Sequence, residues 1–424
     1  MAVRFDLTIE RPVAGGRMIG RHHERVVFVA GAIPGERVQV RVERQTKGAL
    51  WAQVEEVIEA SPDRRTLTYD PACGGLAYAH IHYHRQRTLK GDVIADAFRR
   101  IGRTEIGRDI PVRESPDVGY RLRARLHVRE GRAGFYRENT HTLCDAASSG
   151  QLSAETMPAV ERLLEVLGDR WTSCDAILVA ENVPGTDRVL HLVPRVGAKL
   201  DDLARKFALV AGVTGVTTDL PGRLVTLDGS TCVTDTADQL FHGASPVGSV
   251  PSWTRRASSF FQGNRFLAGP LARHVLDLAD GSRVLDLYAG VGLFAVTVAA
   301  RGGTQVVAIE GDPWSSDDLM TNAAPWRGSL RVVHAAVEQA ADHLQGFQPD
   351  VVIVDPPRTG MSPMALRTVL EIAPGRIVYV SCDPPTLARD AAKIRDAGYA
   401  LHSIEGFDLF PNTSHVETVV AFDR

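Results

Sequence analysis

The second half of the chain alternates helical stretches with short, continuous apolar runs, and this alternation constrains the fold more than any other feature. After about residue 250 the apolar runs include "RVLDLY" at 283–288, "VVIVD" at 351–355 and "RIVYVSC" at 376–382. Strands that are apolar throughout are typical of parallel sheets covered by helices on both faces. The sequence therefore predicts a doubly wound α/β domain over residues 251–424, with ligands bound beyond the carboxyl ends of its strands.

The first 60 residues follow a different pattern. Residues 3–59 alternate apolar and polar side chains in short runs that Gly and Pro turns separate. A period of two with frequent turns is typical of a small antiparallel barrel or sandwich, which we assign to residues 1–60. Residues 61–250 mix strand-like stretches with amphipathic helices, among them a basic helix over 88–103. This mixture predicts a middle α+β region.

Length and charge set wider limits. A chain of 424 residues, 44% hydrophobic and 23% charged, fits two or three globular domains. Its net charge of -3 hides a basic belt from Arg85 to Glu130, where twelve Lys or Arg residues stand against seven Asp or Glu residues. This belt permits a nucleic-acid partner, although a solvated charged face is the other interpretation that charge alone allows.

Cysteine usage and hydropathy bear on the compartment. The five cysteines are odd in number, scattered and without a CxxC pair, which argues against both a disulfide framework and a zinc ribbon. The N-terminal stretch has no long apolar run, so we expect neither a signal peptide nor a membrane span. We therefore expect a protein of the reducing cytoplasm.

The stretch "DLYAGVGLF" at 286–294 joins a predicted strand to a predicted helix through Gly290 and Gly292. Glycines allow a tight turn and a close approach of the backbone to a ligand. The third glycine of the dinucleotide fingerprint is absent, because position 295 is Ala, which favours a nucleoside without a pyrophosphate, such as S-adenosylmethionine. Glu310 ends the next strand, where its carboxylate can accept hydrogen bonds from ribose hydroxyls. An incidental strand-turn-helix is the alternative.

Asp355 lies at the end of a predicted strand and is followed by two prolines and Arg358. The prolines fix the backbone and suit a rigid wall against a flat ring. Methyltransferases that modify exocyclic amines tend to carry an aromatic residue at the place of Arg358, which counts against amine methylation. A Pro-Pro turn capped by Asp355 is the structural alternative.

Two further residues suggest covalent chemistry. Cys382 ends the strand "RIVYVSC", so its thiol is expected beside Asp355 and could act as a nucleophile if its pKa is lowered. Glu417 interrupts the apolar alternation of the last strand, and burial would raise its pKa into the range of a working base. An inert buried cysteine and a solvent-facing edge glutamate are the alternatives.

The ordered set of motifs resembles the RNA uracil-5-methyltransferase family, which uses S-adenosylmethionine. The motifs that carry the resemblance are "FFQGN", "DLYAGVGLF", "DPPRTG", "SCDPPTLARD" and "HVETV". Towards the N terminus, "GRMIGR" and "EASPDR" are similar to the TRAM domain, a small RNA-binding β-barrel. The implied fold is a Rossmann-like methyltransferase domain behind a TRAM barrel.

The resemblance also implies a site. The residues it points to are Gln262, Tyr288, Glu310 and Asp355 as cofactor contacts, Cys382 as nucleophile and Glu417 as base. In the implied reaction the thiolate adds to uracil C6, C5 takes the methyl group, and the base removes the C5 proton. Phe260 or Phe261 could pack against a base turned out of its stack.

The expected product is 5-methyluridine in transfer or ribosomal RNA. RNA is the expected partner, with no membrane and no obligate protein partner. An RNA-binding or RNA-folding protein with a silent methyltransferase domain is the alternative, although intact Cys382, Glu417 and Asp355 disfavour it.

Some residues depart from the family pattern. Many relatives carry a four-cysteine iron-sulfur site, but this chain keeps only Cys73 and Cys144, with Leu76 where the next ligand would be. Two thiolates cannot hold a cluster that needs about four. We therefore expect no iron-sulfur cluster and no other metal, with both cysteines as ordinary thiols. Asp383 replaces the usual Asn, and Gly263 stands where a larger residue is common.

Overall fold

The structure, a computed structural model, describes residues 3–67, 70–107, 109–138, 140–198, 200, 210–220, 223–247 and 251–424. Within these ranges the chain forms an N-terminal barrel, a seven-stranded middle sheet, a two-stranded connection and an eight-stranded sheet that carries the site.

The N-terminal barrel closes because its fourth strand pairs with both the first and the fifth. Its strands are β1 (Arg4–Pro12), β2 (Met18–His22), β3 (Arg25–Ala30), β4 (Arg37–Gln45) and β5 (Ala49–Glu59). Alternate side chains such as Leu7 and Ile9 fill the interior, as a period of two requires. The predicted small barrel is confirmed. Tyr78, Ile81 and Leu89 complete its core from the segment that follows.

The basic helix and a short strand next to it belong to the eight-stranded sheet, which we call the catalytic sheet because the predicted Cys382 and Glu417 lie at the ends of its strands. Helix α1 (Tyr83–Arg100) begins earlier than the predicted 88 and is followed by strand β6 (Val112–Arg113). Strand β6 pairs in parallel with a strand near the C terminus. Ile94 and Phe98 pack in the same apolar cluster as the catalytic strands. Residues 61–250 therefore do not all lie in one middle unit.

The middle sheet has the order β13-β12-β11-β10-β7-β8-β9. Its elements are β7 (Arg123–Arg129), β8 (Arg132–Tyr136), β9 (Leu143–Cys144), α2 (Thr156–Leu167), β10 (Cys174–Glu181), β11 (Arg188–Pro194), β12 (Gly215–Leu220) and β13 (Arg223–Gly229). The apolar side chains of α2, such as Leu163, cover one face of the sheet together with Leu126 and Ile177. A two-stranded connection follows, formed by β14 (Cys232–Thr236), α3 (Ala237–Leu240) and β15 (Ser252–Arg256).

The catalytic sheet has the order β18-β17-β16-β19-β20-β22-β21-β6. Its remaining elements are α4 (Ala268–Leu278), β16 (Arg283–Leu287), α5 (Leu293–Arg301), β17 (Gln305–Glu310), α6 (Pro313–Ala323), β18 (Leu330–His334), β19 (Val351–Val354), α7 (Pro363–Ile372), β20 (Arg376–Ser381), α8 (Pro384–Asp396), β21 (Ala400–Phe407) and β22 (Glu417–Asp423). Strands β16 to β20 run parallel, and β22 is antiparallel to β20. Apolar clusters cover both faces, so the predicted doubly wound fold is confirmed. The chain reverses its winding direction between β16 and β19, which places a ligand crevice there.

Cys73 and Cys144 form a disulfide, with Cα atoms 5.6 Å apart. The expectation that both are ordinary thiols, with no disulfide in the chain, is therefore wrong. The Gly74 N–H donates to the Tyr136 carbonyl at 3.0 Å, and β9 pairs Cys144 with Phe135, so the two cysteines meet across one hairpin. Because 71 positions separate them in sequence, spacing alone could not reveal this contact.

Candidate active site

The turn after β16 begins the site. Tyr288, Gly290 and Gly292 all have left-handed backbone angles, with φ values of 61°, 56° and 91°. A Cβ atom on Gly292 would come within 2.5 Å of the Leu319 side chain, so the close packing of this turn on α6 requires glycine. The turn thus holds its backbone against the crevice at the carboxyl end of β16.

Two carboxylates brace this turn from behind. Asp286, fully buried, accepts a hydrogen bond from the Ala295 N–H at 2.9 Å and so ties β16 to the start of α5. Glu310 accepts from the Gly290 N–H at 2.7 Å and from the Asp312 N–H at 2.6 Å. Burial raises the pKa of both carboxyl groups. Glu310 therefore lies behind the Gly290 turn, and backbone N–H groups engage both of its carboxylate oxygens.

A narrow cleft opens beside this turn. It is lined by Phe260, Gln262, Tyr288, Gly290 and Asp355, among others. The Gln262 amide donates to Asp355 at 3.0 Å. Burial raises the pKa of Asp355 to about 7, while the bond from Gln262 opposes this shift. Three of the four predicted cofactor contacts thus lie on one cleft, and Glu310 lies directly behind it.

The two phenylalanines of "FFQGN" have different surroundings. Phe261 is 2% exposed and packs beneath the Arg255 guanidinium at 3.9 Å, so no base can reach it. Phe260 is 56% exposed at the mouth of the cleft, and the Arg123 guanidinium lies 5.5 Å from its ring centroid. Of the two, only Phe260 offers a free aromatic face.

Cys382 lies directly beyond β20 and is half-buried. Burial, followed by the charges of Glu417 and Asp355, raises the pKa of its thiol to about 12, and the Arg358 guanidinium opposes this. The next residue, Asp383, accepts the Thr386 N–H at 2.9 Å and caps α8. Asp383 thereby replaces the expected Asn as a helix cap, a role both residue types fill equally well.

Glu417 lies opposite Cys382. Strands β20 and β22 are antiparallel, and their last paired residues at this end are Ser381 and Thr418. Cys382 and Glu417 are therefore the next facing positions. Glu417 is 5% exposed, and burial and the charge of Asp355 raise its pKa well above the usual value. The solvent-facing alternative for Glu417 is wrong, because β22 is an inner strand of the sheet.

Arg358 is the residue whose place in the site the sequence did not indicate. Its charge lowers the pKa of Cys382, Glu417 and His415, so it lies near all three. Its guanidinium has no ion pair or side-chain hydrogen bond within the described parts of the chain. The signal was its position directly after "DPP", one residue beyond the rigid turn.

The catalytic sheet and the barrel each match a known protein family. The family described as tRNA (Uracil-5-)-methyltransferase matches residues 252–424, and the TRAM domain matches residues 4–54. A 23S rRNA (uracil(1939)-C(5))-methyltransferase RlmD from Bordetella pertussis is 32% identical, over 98% of this chain and 92% of its own length. The chain belongs to the RNA uracil-5-methyltransferase family.

Other relatives span the same length. An uncharacterized RNA methyltransferase from Streptomyces avermitilis is 31% identical over 100% of this chain and 99% of its own. Among solved structures, a Pyrococcus abyssi tRNA (uracil-54, C5)-methyltransferase in complex with S-adenosyl-L-homocysteine has a TM-score of 0.72 at 24% identity. It covers 98% of this chain and 99% of its own, so the two proteins share their fold from end to end. The present chain, as a member of this family, is an S-adenosylmethionine-dependent RNA methyltransferase.

Gly263, which stands where the resemblance implies a larger residue, has a packing reason. A Cβ atom there would lie 3.0 Å and 3.1 Å from two ring atoms of Phe410. Phe410 in turn packs within 5.9 Å of the Arg121 guanidinium and 6.3 Å of the His415 ring. The small residue thus makes room for an aromatic ring at the wall of the site.

The basic belt is divided by ion pairs. On α1 and beyond it, these pairs are Arg85–Asp63, Arg87–Glu114, Arg99–Asp96 and Arg100–Asp96. Arg121 and Arg123, next to the site, have no carboxylate partner in the described residues. Arg108 lies outside these residues. Within the described residues, the cations of the belt without a carboxylate partner are thus Arg103, Arg121 and Arg123, and the last two lie at the active-site end of β7.

Two absences complete the description. Within the described ranges, no helix has both the length and the hydropathy needed to cross a membrane. The same ranges contain no group of three or more His, Cys, Asp or Glu residues arranged to hold a metal ion.

Proposed function

We propose that this protein methylates C5 of a uridine in ribosomal or transfer RNA, with Cys382 as nucleophile and Glu417 as base. The observation that carries the proposal is the facing position of these two residues at the ends of β20 and β22, beside Asp355. A nucleophile and a proton acceptor across one narrow gap suit a reaction that first adds to a ring and then removes a proton from it.

The residue types explain the chemistry. The thiolate of Cys382 adds to uracil C6, and the electron pair of the C5–C6 double bond becomes available at C5. C5 then takes the methyl group that S-adenosylmethionine supplies. The Glu417 carboxylate removes the proton from C5, the double bond forms again, and the C6–S bond breaks. The thiolate returns, and Glu417 holds the proton.

The protonation state of Cys382 fits a protein to which neither cofactor nor RNA has yet bound. With a pKa of about 12, Cys382 is a thiol in the free protein at neutral pH. Arg358 is the nearby cation that favours its thiolate. A positively charged cofactor beside Asp355 would lower these raised pKa values further, because an opposite charge favours the ionised form.

The cleft fits the cofactor of the family. Gln262, Tyr288 and Asp355 would contact it, with the Gly290 turn and Glu310 positioned for the nucleoside. Phe260 offers a face for a base turned out of its stack. Tyr288, Glu310 and Asp355 are assigned from their common place at the carboxyl ends of β16, β17 and β19, and Gln262 is assigned from its hydrogen bond to Asp355.

Strand β7 provides a path for the RNA away from the site. Arg123, Arg125, His127 and Arg129 alternate with buried residues and so share one face of the middle sheet. The His127 ring stacks on Tyr136 at 3.7 Å with an interplanar angle of 8°. Cations with interleaved aromatic rings suit phosphates and unstacked bases. The TRAM barrel would add a second contact.

Ribosomal RNA is the first target to test, because the B. pertussis relative of nearly equal length acts on 23S rRNA. We place the protein in the cytoplasm, where ribosomal and transfer RNA are found, and propose no obligate protein partner.

A trapping experiment tests the proposal. The protein, S-adenosylmethionine and ribosomal or transfer RNA carrying 5-fluorouracil should give a covalent complex that survives denaturation, because fluorine at C5 cannot leave as a proton. Cys382→Ala should give none. No complex with the unaltered protein, or one that persists in Cys382→Ala, would contradict the assignment. Transfer of a labelled methyl group to unmodified RNA separates an enzyme from a silent RNA-binding protein.

A further inference from the structure

The loop of residues 408–416 joins β21 to β22 and leads directly into Glu417. The Tyr120 hydroxyl donates to one backbone carbonyl of this loop at 3.2 Å, and the Asn264 amide donates to another at 3.0 Å. Asn412, in the middle of the loop, has a left-handed φ of 66°. The approach to Glu417 is therefore held both by contacts from outside the loop and by turns within it, such as the bond from the Thr413 N–H to the Phe410 carbonyl at 3.2 Å.

The contacts from α1 are the most elaborate. Lys90 Nζ lies 2.5 Å from the Asp408 carboxylate and donates to the Phe410 carbonyl at 3.1 Å. One turn earlier, Gln86 binds Asn412 twice, because its amide donates to the Asn412 side chain at 2.9 Å and accepts from the Asn412 N–H at 2.9 Å. Two side chains of one helix thus fix three residues of the 408–416 loop.

Stability alone does not explain this arrangement. The side chains of Lys90 and Asp408 are both 0% exposed. Taking two charges out of water costs about as much as their attraction returns, and apolar residues of similar volume often stabilise a protein as well or better. A buried ion pair can instead fix one geometry for the groups that it joins, as it does in some proteins. Here that geometry belongs to the loop before Glu417.

We propose that Lys90 is a positioning residue for the base: by holding Asp408 and the Phe410 carbonyl, it sets where the 408–416 loop passes into β22 and hence where the Glu417 carboxylate meets the C5 proton. This inference rests on the proposed function. It assigns Lys90 a part in one step only. Addition of Cys382 to C6 and transfer of the methyl group do not use Glu417, whereas removal of the C5 proton and release of the RNA do.

A misplaced base should therefore leave the methylated RNA attached to the enzyme. The experiment uses Lys90→Met, which keeps the length of the side chain and removes its charge. The protein is mixed with unmodified RNA and labelled S-adenosylmethionine, then denatured at intervals, and the labelled enzyme–RNA complex is counted. We expect release of methylated RNA to slow by about ten- to a hundredfold, since small displacements of a catalytic group have effects of this size. Trapping by 5-fluorouracil RNA should stay within about twofold of the unaltered protein.

A second variant covers a folding failure. Asp408→Asn keeps the bond from Lys90 to the Phe410 carbonyl and removes the charge pair, so it should also slow release, though less. The control is Glu36→Gln inside the barrel, which alters another buried carboxylate, bonded to Arg64 at 2.6 Å. It should lower the melting temperature without any build-up of attached RNA.

The outcomes are distinct. If Lys90→Met and Asp408→Asn release RNA at the rate of the unaltered protein, or if trapping and release fall together, Lys90 has only a structural role and the inference is overturned. If the unaltered protein itself forms no complex with 5-fluorouracil RNA, the proposed function fails first and takes this inference with it.

Discussion

Three carboxyl groups lie close together at the cleft: Asp355 lines it, and the buried Asp286 and Glu417 lie near Asp355. Burial raises the pKa of each, and the charge of Asp355 raises the pKa of the other two further. Concentrated acid groups of this kind destabilise a free protein at neutral pH, and they mark functional sites because a cationic ligand can relieve the repulsion. The cleft therefore favours the binding of a positively charged ligand.

Asp355→Asn should raise the melting temperature of the free protein, and more at about pH 8 than at about pH 5. The pKa of Asp355 is raised from 3.8 in the unfolded chain to about 7 in the folded protein. Between these values the folded protein binds more protons, so its stability falls as pH rises through this window. Asn has no such penalty, and the gap between variant and unaltered protein should widen accordingly.

Asp350→Asn is the matched control, with the opposite sign. Slight burial raises the pKa of Asp350, but bonds from Arg283 outweigh it and the pKa lies below its usual value. The unaltered protein therefore gains stability from Asp350 at neutral pH and loses it on acidification. The variant should melt lower at about pH 8 and match the unaltered protein in acid. If both variants shift alike, the carboxyl cluster around Asp355 is not the cause.

At the residue scale, most of the residues that the structure brings together in the candidate site stand in the sequence motifs. Cys382, Glu417 and Asp355 could be found because each directly adjoins an apolar strand whose end must face a crevice. Arg358 could not, because a long side chain can point to many places and only the packed structure selects one. Phe260 and Phe261 were indistinguishable in sequence, since their difference depends on Arg255, which comes from β15.

At the scale of the element, helix α8 begins at the active site. Asp383 caps it and Pro384 occupies its first position, so the capping residue directly follows Cys382. The order of a cap and a proline at the first position is typical of helix starts. Cys382 is therefore held between the end of β20 and the rigid first turn of α8.

Asp383→Ala should loosen the first turn of α8, while Asp383→Asn should not. Loss of a capping side chain costs about 1 kcal/mol, and Asn caps as well as Asp. Amide hydrogen exchange over residues 386–396 should become about fivefold faster in the alanine variant. Unchanged exchange there would contradict the capping role. Because Asn preserves the cap, a change in methylation rate for Asp383→Asn would instead indicate a contact between residue 383 and the uracil.

The elements themselves could largely be predicted. The apolar runs predicted the parallel strands, and the helical spacing of Leu89, Val93 and Ala97 indicated α1. The local pattern could not predict which strands pair with one another. Strand β22 lies between β20 and β21, and β6, with two residues, is too short to be recognised as a strand from the sequence. Such pairings depend on contacts between distant parts of the chain, which local periodicity does not record.

At the scale of the whole molecule, the disulfide adds a covalent cross-link to the region of the middle sheet. It closes 71 positions of sequence and lies among apolar side chains such as Leu76 and Phe135. Cys144 also lines a cavity of about 540 Å³. No spacing rule in the sequence pointed to this cross-link.

Under denaturing conditions without reductant, three thiols should react, namely those of Cys174, Cys232 and Cys382. After reduction all five cysteines should react. Closing a loop of this size stabilises a domain by about 2–4 kcal/mol, so a reductant should lower the melting temperature. Cys73→Ser should melt like the reduced protein and no longer respond to reductant, whereas Cys232→Ser should respond like the unaltered protein. Five reactive thiols before reduction would show that the cross-link does not form.

Strand β6 and the apolar face of α1 precede the middle domain in sequence, yet they pack with β21 and α8 near the C terminus. During synthesis on the ribosome, this first portion of the catalytic sheet emerges long before its partners exist. Ile94, Phe98 and Val112 must wait uncovered, or shielded by chaperones, until the last strands are translated. A nascent chain that ends before residue 400 would therefore expose this apolar surface and an unpaired strand, whether or not its N-terminal barrel has folded.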